Sequence, residues 1–373
     1  MGKIWQKARG LLSRERLRVK MLDVYIIRKF LGTYLFSIVL LLAIVIVFDI
    51  NEKLDSMLEA PLKETIFDYF LNFLPYFANQ FSALFTFISV IFFTSKLADH
   101  SEIIAILSSG VSYRRLLVPY MVSAAVIAGV MFVLSSYIIP PANVKRIAYT
   151  NKYVNDYSVE FGTNIQLQVE PGVIAYIGHY NRGTKTGANF SLEKFEGLSM
   201  TSRLTAQSIE YDTLNHWTIR NYAIRHFDGL HETIEKGVVR DTILDMEPRD
   251  FLISEDDQEM LTTPELRDYI SRQKERGVAN IKSFEIELEK RYASVAAAFI
   301  LTIIGMSLSS RKVKGGMGVN IGIGLTLSFS YIVASTITST FCVNGYTSAR
   351  VAMWLPNVVY SLIAIVLYHR AAK

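Results

Sequence analysis

The chain has 373 residues, of which 51% are hydrophobic and 20% charged, and its mean hydropathy is +0.27. These values exclude an ordinary soluble protein and also a chain that is buried in the bilayer throughout. Residues 145–290 carry 18 Lys/Arg against 24 Asp/Glu within a chain of net charge +5, so an acidic insert interrupts a basic membrane body. Basic residues beside apolar runs indicate anchoring at anionic lipid, and nothing in the sequence indicates nucleic-acid binding. The single cysteine, Cys342, excludes an intramolecular disulfide.

Six apolar runs are long enough to cross a bilayer, which takes about 20 apolar residues per helix. The first run follows a basic N-terminal segment without a small-residue cleavage site, so it is predicted to be a retained span and not a signal peptide. The predicted spans lie at about residues 30–49, 69–95, 116–139, 291–310, 317–341 and 350–368.

The distribution of Lys and Arg orients these spans. Residues 1–29 contain nine Lys/Arg and two acids, and the segments 96–115 and 311–314 are also basic, so all three are predicted to be cytoplasmic. The loop 50–68 contains five acids and two lysines and is predicted to be external. Both termini are then cytoplasmic, and the long acidic insert between the third and fourth spans lies outside. In a bacterium with two membranes, that position is the periplasm.

Residues 97–117, LADHSEIIAILSSGVSYRRLL, predict a helix of about ten residues on the cytoplasmic face. Asp99 and Glu102 resemble a capping box at its start, and Gly110 is placed to end it. One face of this helix is apolar: Ile103, Ile104 and Leu107. Two interpretations remain open, a simple interfacial loop helix or a knob that contacts a soluble partner.

The insert changes from helical periodicity to alternation between Asn164 and Asp245, which predicts β-strands. Short strands at this spacing are typical of a β-sandwich or an incomplete jelly roll, and two facing sheets could enclose an apolar groove. The segment that follows predicts a helix with Thr263 as its cap, Pro264 at its first position and Gly277 as its stop. The domain is either purely structural or a substrate conduit or docking module.

The predicted division is residues 1–140 for the first three spans, 141–277 for the external β domain with its following helix, and 278–373 for the last three spans. The sequence contains no G-x-x-x-x-G-K-[ST], H-E-x-x-H or G-x-S-x-G motif and no Cys/His cluster, so we predict no catalytic residue, metal site or cofactor in this chain. Gly318 and Gly322 form a GxxxG pair, which predicts close packing against another membrane helix.

Three stretches together carry a resemblance to a known family: LADHSEIIAILSSGVSYRRLLVP, LTAQSIEYDTLNHWTIRNYAIRHF and LTTPELRDYISRQKERG. In this order of spans and β domain, they resemble the LptF/LptG (YjgP/YjgQ) permeases of lipopolysaccharide export. The resemblance implies an α-helical membrane protein with six transmembrane helices and a periplasmic β-jellyroll. It also implies a non-enzymatic inner-membrane permease subunit that passes lipopolysaccharide to a periplasmic bridge. The implied partners are a second permease of this family, an LptB-type cytoplasmic ATPase dimer that binds ATP and Mg, and LptC/LptA-type bridge proteins.

The resemblance also assigns expected roles to individual residues. Glu102 matches the acid of the coupling helix that meets the ATPase, and it is flanked by His100, Ser101, Ser109 and Gly110. The candidates for contact with lipid A phosphates are Lys53, Lys290 and Arg291, for which simple anchoring at the interface is an equal alternative.

The chain departs from the family at two places. Val295 stands where the family often has proline, so a kink in the fourth span is not predicted. Asp49 and Glu52 stand where one permease type tends to carry lysine, and this leaves the F-type or G-type assignment open. The alternative functions are a permease of another ABC-linked envelope system, for lipoprotein release or mechanotransmission, and a passive envelope scaffold.

Overall fold

A computed structural model describes residues 21–154, 161–181, 183–213, 215–229, 231–248, 257–275, 281–311 and 316–372. The basic segment 1–20, residues 312–314 of the predicted cytoplasmic loop and the expected helix stop Gly277 lie outside these ranges.

Helices account for both ends of the described chain. In chain order they are α1 (Met21–Glu52), α2 (Leu54–Glu59), α3 (Leu62–Glu64), α4 (Leu71–Gln80), α5 (Ser82–Asp99), α6 (Glu102–Ser108), α7 (Tyr113–Val133), α8 (Ile139–Tyr153), α9 (Thr263–Glu275), α10 (Lys282–Ser309), α11 (Gly316–Val343) and α12 (Ala349–Ala371). Among the described residues, six helical stretches are long and apolar enough to cross a membrane: α1, α5, the continuous stretch Tyr113–Tyr153, α10, α11 and α12. The prediction of six membrane helices is confirmed.

Two of the spans differ in detail from their predicted limits. The apolar run 69–95 consists of α4 and α5, which are separated at Phe81, and a π-helical turn, Thr65–Phe70, precedes α4. The third span contains a second π-helical turn, Leu134–Ile138, and continues as α8 to Tyr153. Hydropathy does not predict α8 because its second half is polar, but Ile147 and Tyr149 are both buried and hold it in place.

The inserted β domain is a six-stranded antiparallel sheet in which each strand pairs with the next in sequence order. The strands are β1 (Phe161–Glu170), β2 (Val173–Asn181), β3 (Thr186–Glu196), β4 (Ser199–Tyr211), β5 (His216–Asp228) and β6 (His231–Ile243). One face carries a single apolar core that includes Phe190, Trp217 and Ile219, all at most 1% exposed. The prediction of a β domain between the third and fourth spans is confirmed. The described strands form one sheet, so any groove must come from the bending of that sheet.

At one level of the sheet, four neighbouring strands each contain one extra residue between two core-facing residues. Core-facing residues are normally two apart along a strand, but at this level of β2 to β5 they are three apart. The pairs are Ile177 with Tyr180, Gly187 with Phe190, Ala206 with Ile209, and Ile219 with Tyr222. Asn189 and Asn221 lie in this row with φ of 56° and 51°. An extra residue in a strand increases its twist, and from the alignment of this row across the strands we infer that the sheet bends around its core.

The membrane helices pack around α5, α7 and α10. Phe30 of α1, Phe93 of α5 and Tyr120 of α7 stack within the central apolar cluster of the membrane helices. In the most apolar 18-residue stretch of α1, and likewise of α11, only 11% of the residues are buried within the chain. In the corresponding stretch of α5, 61% of the residues are buried. Two of the six spans therefore present most of their apolar surface outward.

Glycines mark the closest helix approaches, but not at the positions expected. A Cβ on Gly324 would overlap the side chain of Ile91 of α5, and one on Gly305 would lie 2.9 Å from Val90 of the same helix. Gly318 and Gly322 have no atom within 4 Å of that position, so this pair packs against no described residue of the chain.

Candidate functional site

A cavity of about 590 Å³ opens among α5, α10 and α11, near the β-domain ends of these helices. Ala83, Leu84, Ala297 and Leu301 supply part of its apolar wall. The α11 wall carries hydroxyl groups at helical spacing: Ser328, Ser335, Thr336, Ser339 and Thr340. The cavity is of the size of small-molecule sites, and it combines apolar walls with a few hydroxyls along one side.

Lys290 stands at the mouth of this cavity. Its side chain is 46% exposed, and its ammonium lies 3.5 Å from Glu287 one turn earlier on α10. Lys290, Glu287 and Glu259 also line a smaller recess of about 90 Å³ behind the main cavity, so they stand where the two spaces meet. The sequence-predicted Lys290 is thus placed where an anionic group entering the cavity would reach it.

Glu259 lies in a short 3-10 turn, Asp257–Glu259, that follows the β domain. Tyr76 of α4 donates a hydrogen bond to its carboxylate at 3.2 Å, and Arg146 of α8 lies 3.8 Å from it. Asn143 donates to the Glu259 backbone oxygen at 3.3 Å. The carboxylate therefore ties the chain leaving the β domain to two membrane helices beside the cavity. This cluster could not be predicted from the sequence, because Glu259 is more than a hundred residues from each of its partners.

Arg291, the second candidate for phosphate contact, is only 2% exposed and is engaged within the protein. Its guanidinium donates to Glu287 at 3.0 Å, to the Thr263 hydroxyl at 3.0 Å and to the Leu261 carbonyl at 2.9 Å. These contacts fasten the start of α9 to α10. Arg291 therefore stabilises the contact between α9 and α10.

The start of α9 also corrects the predicted cap. Thr262, and not Thr263, accepts the first helical hydrogen bond, from Leu266 at 2.8 Å. The Thr262 amide and hydroxyl both donate to Glu265, at 2.9 and 2.6 Å, and these hydrogen bonds hold the pKa of Glu265 below its usual range. Thr263 is the first residue of α9, and its hydroxyl accepts a hydrogen bond from Arg291 instead of capping the helix.

Lys53 occupies the β-domain end of α1, where it is paired within the chain. Its ammonium lies 2.6 Å from Asp49 and 2.5 Å from the Tyr69 hydroxyl, and Tyr69 also donates to Asp49 at 3.0 Å. Its side chain is 21% exposed. Lys53 therefore joins α1 to the π-helical turn before α4, and a phosphate would have to compete with Asp49 for it.

The predicted cytoplasmic helix is α6, and it is shorter than expected. Asp99 is the last residue of α5 and forms no part of a capping box, because Ser101 turns the chain with φ of 61° before the seven residues of α6 begin. Gly110 has φ of 89° and ends the helix as predicted. Ser101 and Gly110, both in the left-handed conformation, thus lie on either side of a helix of two turns.

One face of α6 is buried and the other is open. Ile103 is 1% exposed and packs into the central apolar cluster, whereas Ile104, expected on the same stripe, is 53% exposed. His100 lies 3.9 Å from Glu102, and the Ser109 hydroxyl donates to the Ile106 carbonyl at 2.7 Å. The structure therefore brings His100, Ser101, Glu102, Ser109 and Gly110 together on one exposed element.

A link between α6 and α1 was not predicted from the sequence. The Tyr25 hydroxyl donates to Glu102 at 3.0 Å, and beside it Arg115 of α7 forms a bidentate pair with Asp23, at 2.8 and 2.5 Å. Asp23 is 6% exposed. The first membrane helix is thus joined directly to the helix that carries Glu102.

Among the residues that the structure describes, no group of three or more His, Cys, Asp or Glu side chains is arranged to hold a metal ion.

A search of curated proteins finds no significant match. The model of the family described as lipopolysaccharide export system permease LptF/LptG matches residues 24–370, which is nearly the whole chain. The chain therefore belongs to the LptF/LptG family of lipopolysaccharide export permeases.

Proposed function

We propose that this permease is the inner-membrane subunit of an ATP-driven lipopolysaccharide exporter, and that a separate cytoplasmic ATPase dimer, which binds the ATP and Mg²⁺, drives it. The observation that carries this proposal is the geometry of α6. A two-turn helix held between two left-handed residues presents Ile104 and Glu102 outward, while Ile103 anchors it inward. The sequence has no phosphate-binding loop, so the energy has to enter through a contact of this kind.

The force would travel from α6 to the spans by two routes. One is the chain itself, because α6 follows α5, which lines the cavity. The other is the Tyr25–Glu102 hydrogen bond and the Asp23–Arg115 pair, which reach α1. A small displacement of α6 would then move α1 and α5 together.

The cavity supports the substrate assignment. Its apolar walls suit acyl chains, and Lys290 at its mouth suits a lipid A phosphate. We propose that a second LptF/LptG-type permease closes the open side, with α1 and α11 at the interface. These two helices bury only 11% of their apolar windows, and Gly318 and Gly322 leave room on α11 for the close approach of a partner helix.

The β domain would pass lipopolysaccharide to LptC/LptA-type bridge proteins in the periplasm, with both termini of the chain in the cytoplasm. Strand β6 is a sheet edge thirteen residues long, and such an edge is a template for pairing with another strand. Its exposed apolar side chains are Ile234, Val238, Val239 and Ile243, at 53 to 71% exposure. The bent apolar face of the sheet would form the path between cavity and bridge.

The first test uses Glu102→Ala and Glu102→Lys, with Tyr25→Phe as the matched control. If α6 is the ATPase contact, both Glu102 variants reduce co-purification of the ATPase, whereas Tyr25→Phe, which removes only the internal hydrogen bond, leaves it intact. Unchanged co-purification and unchanged export in both Glu102 variants would refute the coupling role. Isolation of a native complex that contains no ATPase would favour a passive scaffold.

The second test places photo-crosslinking residues at inward positions of the sheet, such as Ile165 and Tyr222, which pack against the core of the bent sheet. Adducts with lipopolysaccharide are expected there and not at the outward-facing, exposed position Arg220 of β5. If no inward position gives an adduct, the conduit role is wrong.

A further inference from the structure

A second groove, of about 770 Å³, lies on the outer surface of the helix pair α10 and α12. It shares no lining residue with the cavity between α5, α10 and α11. The groove begins beside α9, at the β-domain end of the spans, and continues down the exposed side of α12. It is therefore open to the lipid that surrounds the helices.

The upper part of the groove is polar and carries two arginines. Arg350 donates through Nε to one oxygen of Glu289 at 3.1 Å, and the Trp354 indole donates to the other oxygen at 3.0 Å. Arg267 of α9 donates to the Tyr292 hydroxyl at 2.5 Å, and its guanidinium lies 5.6 Å from the centre of that ring. Glu289 thus positions Arg350, whose side chain remains 82% exposed.

The lower part of the groove is apolar and follows one face of α12. Val351, Leu355 and Val358 are spaced by four and three residues, and they are 54%, 48% and 55% exposed. Trp354 lies one helical turn after Arg350 and one turn before Val358, beside both the polar and the apolar part, which is typical of tryptophan at a membrane interface. Polar and apolar parts are therefore arranged in the order of a lipid headgroup and its chain.

We propose that this groove binds an anionic phospholipid of the surrounding bilayer, with the headgroup phosphate between Arg267 and Arg350 and an acyl chain along Val351, Leu355 and Val358. The charge of the polar part supports an anion, because two guanidinium groups face one carboxylate. Guanidinium groups bind phosphate through paired hydrogen bonds, and the Tyr292 hydroxyl beside them supplies a further donor. The bound lipid would join α9 to α12 at the membrane surface. The proposal does not depend on the transport mechanism.

Trp354 lies inside the groove and can report on it. The test measures quenching of its fluorescence in vesicles by brominated phosphatidylglycerol and, separately, by brominated phosphatidylcholine. The other tryptophans, Trp5 and Trp217, also emit, so the Trp354→Phe variant gives the signal to subtract. Stronger quenching by phosphatidylglycerol is expected in the wild type. Arg350→Gln should reduce that preference about 5-fold and Arg267→Gln by a similar factor, which corresponds to about 1 kcal/mol for each basic residue at an anionic surface.

Arg225→Gln, on β5 of the sheet, is the matched control. Like Arg350, Arg225 is an exposed arginine that is paired with one glutamate, and its side chain is 54% exposed. It lies far from the groove in the chain. It should leave the preference unchanged. Equal quenching by the two lipids in the wild type would overturn the proposal. A preference for phosphatidylglycerol that survives in the variant carrying both Arg267→Gln and Arg350→Gln would overturn it as well. The phosphate could belong to a phospholipid or to lipopolysaccharide, and competition with unlabelled lipopolysaccharide distinguishes the two. If it restores Trp354 fluorescence more effectively than unlabelled phosphatidylglycerol at equal phosphate concentration, the groove belongs to the substrate, and the phospholipid assignment is wrong.

Discussion

The pair between Asp23 and Arg115 should be the strongest single tie between α1 and α7. Its two hydrogen bonds measure 2.8 and 2.5 Å, and Asp23 is 6% exposed. Breaking a fully buried ion pair costs about 3–5 kcal/mol, but the Arg115 side chain is 29% exposed, so water recovers part of this cost. We expect Asp23→Asn to lower the free energy of unfolding by about 2 kcal/mol, with an interaction energy of about 1.5 kcal/mol in a double-mutant cycle with Arg115→Gln.

The assay is denaturant unfolding of the full chain in detergent, for the wild type, both single variants and the double variant. The exposed pair Glu193–Arg203 in the β domain is the control, since its 3.2 Å contact involves an arginine that is 47% exposed. Its interaction energy should stay below about 1 kcal/mol, as is usual for surface pairs. If the Asp23–Arg115 interaction energy is no larger than that of the control, this tie does not hold α1, and the proposed route of force through it is wrong.

Five other substitutions test the remaining assignments. Arg291→Gln should lower the unfolding free energy by about 3 kcal/mol because it leaves buried partners unpaired, whereas Lys290→Gln should leave stability nearly unchanged and reduce lipopolysaccharide crosslinking in the cavity. Glu265 has a lowered folded-state pKa, so its capping contribution is present above its unfolded-state pKa and is lost as pH falls through the folded pKa; Glu265→Gln should flatten the dependence of unfolding free energy on pH in that acidic range. Gly324→Leu should destabilise the isolated chain by overpacking, whereas Gly322→Leu should leave it folded and reduce co-purification of the second permease.

Features determined by local sequence were predictable. Apolar runs of sufficient length gave the six spans, and alternation gave the strands of the insert, because both patterns reflect which faces are buried. Gly110 ends α6 as expected, since glycine readily adopts its φ of 89°. The start of the same helix was not predictable, because Ser101 adopts a left-handed conformation that serine seldom takes and Asp99 continues the preceding helix.

Features determined by contacts between distant residues were not predictable. Arg291 was expected to meet a phosphate, but it is buried because Leu261 and Thr263 accept its hydrogen bonds from a segment about thirty residues earlier. The bend in the sheet depends on extra residues at one level of four strands, and each strand alone still shows an alternating pattern on either side of that level. Tyr25 and Glu102 are 77 residues apart and carry no motif that would join them.

These contacts together define how α1 is held. At one end, Asp23 and Tyr25 join it to α7 and α6, and at the other end Lys53, with Asp49, joins it to Tyr69. Between these ends Ile26 and Phe30 are buried in the central apolar cluster, but most of the rest of the helix is open. Its 32 residues correspond to about 48 Å of helix, which exceeds the thickness of a bilayer core. A helix that is fixed at its ends and largely open between them moves as a unit when one end is displaced. A shift of α6 at the proposed coupling end would therefore reach the residues beside the β domain through α1, and Phe30 would pass part of it to Phe93 of α5 and Tyr120 of α7.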